Sequence, residues 1–140
     1  MTMFEKYASS FILVSLFLLW NQGTVCVKAD SVTVRIEPDY PGSSSFGIHC
    51  ESADDDLGGH TIAQGSFYSF DFSPNVWGTT LFHCALDWQG RGVSFAIYDE
   101  KRDLISRCDK LCLWKVRPDG VVGFPENHKE SSDLFFPWTR

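Results

Sequence analysis

Thr80-Leu81-Phe82-His83-Cys84-Ala85-Leu86-Asp87-Trp88, followed by Gln89-Gly90-Arg91-Gly92 and Val93-Ser94-Phe95-Ala96-Ile97, decides the fold. Phe82, Cys84, Leu86 and Trp88 recur at every second position, as do Val93, Phe95 and Ile97. Side chains of a strand alternate between its two faces, so this period of two marks half-buried strands. The four residues between the segments, two of them glycine, read as a hairpin-sized loop. Working outward, Val32, Val34 and Ile36 alternate with Thr33, Arg35 and Glu37. Ile48 and Cys50 continue the pattern after the turn-forming stretch Pro41-Gly42-Ser43-Ser44-Ser45. Tyr68, Phe70 and Phe72 form a further segment, and so do Cys112, Trp114 and Val116. Pro118-Asp119-Gly120 then turns the chain into Val121–Phe124. Helical periodicity is weak after Asp30, and no internal repeat is visible. The expectation is an all-β protein, an antiparallel, immunoglobulin-like β-sandwich of seven or eight short strands. The tail from Pro125 is polar at first and then apolar at Leu134-Phe135-Phe136-Pro137-Trp138. That segment either packs back on the sandwich or forms an exposed contact patch, and packing is the favoured reading.

The chain has 140 residues, a formal charge of −6 and 15% aromatic residues, which places it among ordinary single globular domains rather than disordered chains. Its acidity argues against nucleic acid or an anionic membrane surface as partner, since both demand a basic footprint. Phe11–Trp20 is apolar except for Ser15, about half the length that spans a bilayer. It fits the core of a secretory signal peptide, with cleavage after Val27-Lys28-Ala29; stable membrane insertion is not expected. Residues 1–29 are thus assigned as leader and 30–140 as the mature domain. That cut leaves ten of the twelve basic residues and seventeen of the eighteen acidic ones. It also removes Cys26 and leaves an even set, Cys50, Cys84, Cys108 and Cys112, as befits a short secreted chain with two disulfides. Four cysteines allow three pairings. The nested one, Cys50–Cys112 with Cys84–Cys108, is carried forward; its loops of roughly 62 and 24 residues would contribute about 4 and 3 kcal/mol.

Asp54-Asp55-Asp56-Leu57-Gly58-Gly59 is the most conspicuous local feature. Ligand loops of the EF-hand type space their acids at alternate positions and close with a glutamate, and this run does neither. A turn between strands explains it better: aspartates bond nearby amides, glycines supply positive φ, and the carboxylates remain open to a partner. His49-Cys50 and His83-Cys84 imitate a zinc set, yet neighbours on a strand point to opposite faces, so disulfide bonding is the stronger reading. His60 and His128 are isolated. No nucleophile elbow or phosphate loop occurs, and paired cysteines supply no nucleophile, so neither enzymatic activity, nor a cofactor, nor a metal is expected. Trp88 and Trp114 fall on the buried side of their strands, whereas Trp77 and Trp138 lie in segments open to solvent. A carbohydrate-binding module built on such a tryptophan remains an alternative, as does a secreted hydrolase or hydrolase inhibitor.

Several of these residues together resemble the plant self-incompatibility protein S1 family. The resemblance rests on His49-Cys50, Asp54-Asp55-Asp56-Leu57-Gly58, Gly65 with Tyr68 and Phe72, and the run Asn75–Cys84. It continues through Trp88, Phe95–Tyr98, Arg107-Cys108, Cys112-Leu113-Trp114, Asp119-Gly120 and Gly123-Phe124. It implies a secreted plant protein, a disulfide-bonded β-sandwich without enzymatic activity. Founding members in poppy act as stigma-secreted ligands of a pollen membrane protein; most relatives, the S-protein homologues, have no established role. The chain departs from the pattern at Phe70, where members often carry Trp. It also departs at Glu51 and Ala53, where basic residues are common, which makes this surface more acidic. The reading is a monomeric, extracellular ligand of a cell-surface receptor protein, with Asp54, Asp55, Asp56 and Trp77 as candidate contacts on a rigid scaffold.

Overall fold

In the computed structural model, residues 30–140 are described, and the leader segment assigned to 1–29 lies outside them. Among the described residues, nine strands form two sheets, and one helical turn lies in one of the connections between them. In chain order they are β1 (Val32–Pro38), β2 (Phe46–Glu51), β3 (Asp56–Ile62), β4 (Tyr68–Phe72), β5 (Leu81–Trp88), β6 (Arg91–Asp99), α1 (Glu100–Asp103), β7 (Leu111–Arg117), β8 (Gly120–Phe124) and β9 (Leu134–Pro137). One sheet has the order β4-β1-β7-β8-β9 and the other β3-β2-β5-β6. The two-layer, all-β expectation holds, with two additions. β3 and β9 raise the strand number beyond seven or eight, and β1 pairs parallel with β7, so the sandwich is not wholly antiparallel.

The alternating residues form the core. Val32, Val34 and Ile36 of β1 and Cys112, Trp114 and Val116 of β7 are buried; so are Phe82, Cys84, Leu86 and Trp88 of β5, with Phe95 and Ile97 of β6. Aromatic contacts join the layers: Phe72 meets Phe82 and Tyr98 at 4.6 and 4.7 Å between ring centroids, and Phe95 meets Trp114 at 5.1 Å. The apolar tail packs back as β9. Phe136 stacks on Phe95 at 4.6 Å, and the Trp138 indole donates to the Arg117 carbonyl at 2.9 Å. Trp138 is therefore half-buried, not an open platform. The β5–β6 hairpin is tighter than four residues. β5 runs to Trp88 and β6 starts at Arg91, leaving Gln89 and Gly90, both at positive φ (50° and 76°). Two left-handed residues give the turn whose twist matches the strands it joins.

The nested disulfide pairing is corrected. Cys50 bonds Cys84, and Cys108 bonds Cys112. Cys50 and Cys84 stand directly opposite each other in the β2–β5 ladder, 4.1 Å apart at Cα, so their inward side chains meet without leaving the sheet. Cys112 belongs to β7 in the other layer and is claimed by Cys108, just ahead of the same strand. Neither bond crosses between the layers, which are held together by the apolar core.

Candidate functional site

Loop segments 52–55 and 73–80, remote in sequence, line one cleft of about 420 Å³ at one end of the sandwich. Ser52, Ala53, Asp54 and Asp55 form one wall; Ser73, Asn75, Thr79 and Thr80 face them, with Phe72 and Phe82 reaching in from the strands. The first wall is a closed turn: the Ser52 amide donates to the Asp55 carbonyl at 2.7 Å, and the Asp55 amide donates to Ser52 Oγ at 3.1 Å. Asp54 and Asp55 are exposed, and their carboxylates accept no hydrogen bond among the described residues. Asp56 differs. It opens β3, where its Oδ1 accepts the Gly58 amide at 2.9 Å and lies 2.5 Å from His49 Nε2. Those bonds, the Gly58 amide first and His49 second, hold the Asp56 carboxyl below its ordinary value.

The opposite wall is organised by Asn75. Its Oδ1 accepts the amides of Trp77 and Thr79, each at 3.1 Å, while its own amide donates to Thr80 Oγ1 at 2.8 Å. Gly78 takes φ 72°, a conformation that a side chain disfavours. Glu100, the first residue of α1, anchors the end of the loop: it accepts the Thr80 amide at 3.2 Å and donates its own amide to the Thr80 carbonyl. With the amides of Asn75, Trp77, Thr79 and Thr80 bonded in this way, the loop turns its apolar tip outward. Val76 is 91% exposed and Trp77 82%. The turn expected at residues 54–59 therefore ends earlier. Gly58 has the expected positive φ, but Asp56 through Ile62 pair with β2 as a strand. Asp54, Asp55 and Trp77 share one end of the molecule, and Asp56 is engaged with His49. Asn75 carries no period-two signal; an Asn three residues before a Gly is the cue that marks it as organiser of that loop.

A larger concavity, about 900 Å³, lies on the outer face of the β3-β2-β5-β6 sheet. One row across its four strands is Gly59, His49, Ala85 and Ser94, so a lone imidazole stands among small residues. His49 and His83 are exposed while Cys50 and Cys84 are buried, as alternation requires, and the His–Cys pairs do not converge. An acidic turn beside an exposed indole has the chemistry to hold a basic surface carrying an apolar neighbour. Among the described residues, no helix is long and apolar enough to cross a membrane.

Comparison with known proteins gives a consistent answer. A family model described as plant self-incompatibility protein S1 matches residues 33–138. Self-incompatibility protein S1 of Papaver rhoeas is 38% identical over 119 residues, 84% of this chain and 83% of that protein. S-protein homolog 5 of Arabidopsis thaliana is 40% identical over 97 residues, 69% of this chain and 70% of the relative. S-protein homolog 2 of the same plant is 36% identical over 111 residues, covering 77% of this chain and 68% of the relative. A solved SPH (self-incompatibility protein homologue) structure superimposes with a TM-score of 0.56 at 16% identity, over 82% of this chain and all of that one, which supports the fold. It represents what is described as a widespread family of small, highly stable, secreted proteins from plants. With these matches spanning nearly the whole described sandwich, the chain belongs to the plant self-incompatibility protein S1 family.

Proposed function

We propose that this protein is a secreted, non-enzymatic recognition ligand that binds a cell-surface protein through Asp54, Asp55 and Trp77. The observation that carries the reading is the convergence of two distant loops on one cleft, with unpaired carboxylates on one wall and an outward indole beyond the other. Secretion accords with the leader read over residues 1–29, cleaved after Ala29, and with the secreted SPH relatives. The protein acts as a monomer in the extracellular space. Its receptor presents a basic patch beside an apolar pocket: the carboxylates speed encounter, and the indole supplies the desolvated anchor. Binding of labelled protein to plant plasma-membrane preparations, across a salt series, tests this. The on-rate should fall as salt rises, and Trp77→Ala should mainly raise the off-rate. Binding that ignores salt and both loop substitutions would place the contact elsewhere.

A further inference from the structure

The β2–β3 ladder carries an irregularity with a chemical consequence. His49 pairs with Gly59 and Glu51 pairs with Asp56, so one intervening residue on β2 faces two on β3. Gly58, at φ 76°, lies in this bulge. A bulge re-aims side chains, and here it sets Asp56 beside His49 and Glu51 on the outer face. One His Nε2 or Nδ1 and one carboxylate oxygen from each acid lie within 4.8 Å of one another. All three side chains are exposed. Their backbone is fixed from behind, because the residue between His49 and Glu51 is Cys50, bonded through the sheet to Cys84. His83 stands opposite Glu51 on β5, exposed on the same face.

We propose that His49, Glu51 and Asp56 form a binding site for a divalent transition-metal ion of the zinc class. A mixed set of one imidazole and two carboxylates suits such an ion better than calcium or magnesium, which favour all-oxygen shells. Zinc takes its N and O ligands at about 2.0–2.2 Å, so tetrahedral ligands stand about 3.3 Å apart. The three candidate ligand atoms already lie within 4.8 Å of one another, so each exposed side chain has little distance to move towards that spacing. His49 Nε2 exchanges its contact with Asp56 for the metal, and the ring keeps its proton on Nδ1. The Gly58 amide continues to orient the Asp56 carboxylate, the supporting role such partners play at metal sites. A fourth position faces solvent and is left to water. The site makes this edge of the acidic end a place where an ion can neutralise charge, and it stands whether or not the loops bind a receptor.

The test uses the purified, oxidised protein, prepared without a histidine tag and titrated with zinc chloride by calorimetry and by NMR of the imidazole resonances. One saturable equivalent is expected, with the His49 ring signals shifting. His49→Ala and Asp56→Asn should each weaken it more than tenfold, His60→Ala should leave it unchanged, and calcium should not compete. Unfolding curves of the metal-free variants should match the parent. Absence of saturable zinc binding, binding indifferent to His49→Ala, or equal competition by calcium would overturn the assignment.

Discussion

Removing the two disulfides separately should have unequal effects, because they close very different loops. Cys50–Cys84 spans a sequence separation of 34, and Cys108–Cys112 spans 4. Cross-linking restricts the unfolded chain by an amount that grows with the logarithm of loop length. For these separations the chain-entropy relation gives about 4 kcal/mol for the first bond and about 2 kcal/mol for the second. A domain of this size has a total stability on the order of 5–15 kcal/mol, so the first loss is large. The paired substitutions Cys50→Ala/Cys84→Ala and Cys108→Ala/Cys112→Ala isolate each term, with urea unfolding as the assay. At a urea slope of about 2 kcal/mol per molar, the first variant should lose roughly 2 M of midpoint and the second about half that. Under the nested pairing each of these variants would break both bonds at once, so the two losses would be equal and larger, about 7 kcal/mol each in the same relation. Near-equal losses, or a larger one at Cys108 and Cys112, would refute the reasoning.

A Cβ at Gly120 would stand closer than 3.0 Å to Phe135, Phe136 and Pro137 of β9, so Gly120→Ala should cost about 1–3 kcal/mol and speed hydrogen exchange along the β8–β9 ladder; unchanged stability would show that β9 is loosely held. Burial first, then the negative charges of Glu100, Asp103 and Asp99, push the Tyr98 phenol up to about 12 from the ordinary 10.0. The unfolded chain therefore gives up this proton first, and the stability Tyr98 contributes is intact below pH 10 and lost as the pH rises towards 12. Ultraviolet titration should show a late-ionising tyrosine that coincides with alkaline unfolding, and Tyr98→Phe should flatten that decline. Ionisation of Tyr98 near 10 in the folded state would contradict it.

The strands that the sequence exposes are those with one wet face and one dry one. β1, β5 and β7 alternate cleanly, and their apolar positions are the buried ones. β3 was hidden for the opposite reason: it is an edge strand largely open on both faces, rich in glycine, and secured by backbone pairing with β2. Composition there reads as a turn because nothing in its side chains records the ladder. The parallel β1–β7 pairing and the Cys50–Cys84 bond depend on register between distant segments, which a period of two does not encode. Alternation places both cysteines inward but leaves open which inward neighbour each one meets. At the candidate site, Asp54, Asp55 and Trp77 were legible as exposed polar and loop-borne groups. The role of Asn75 and the turning of Asp56 towards His49 were not, because each rests on contacts set by a loop or a bulge.

If the two loops act as one contact surface, a double-mutant cycle on membrane binding will register both. Dissociation constants would be measured for the parent, Asp54→Asn/Asp55→Asn, Trp77→Ala and the combined variant, each shown to be folded by its unfolding midpoint. Trp77→Ala should weaken binding at least tenfold, and the Asn variant should lose most of the salt dependence of association. Affinity within twofold of the parent for all three variants, with folding intact, would show that neither loop contacts the partner.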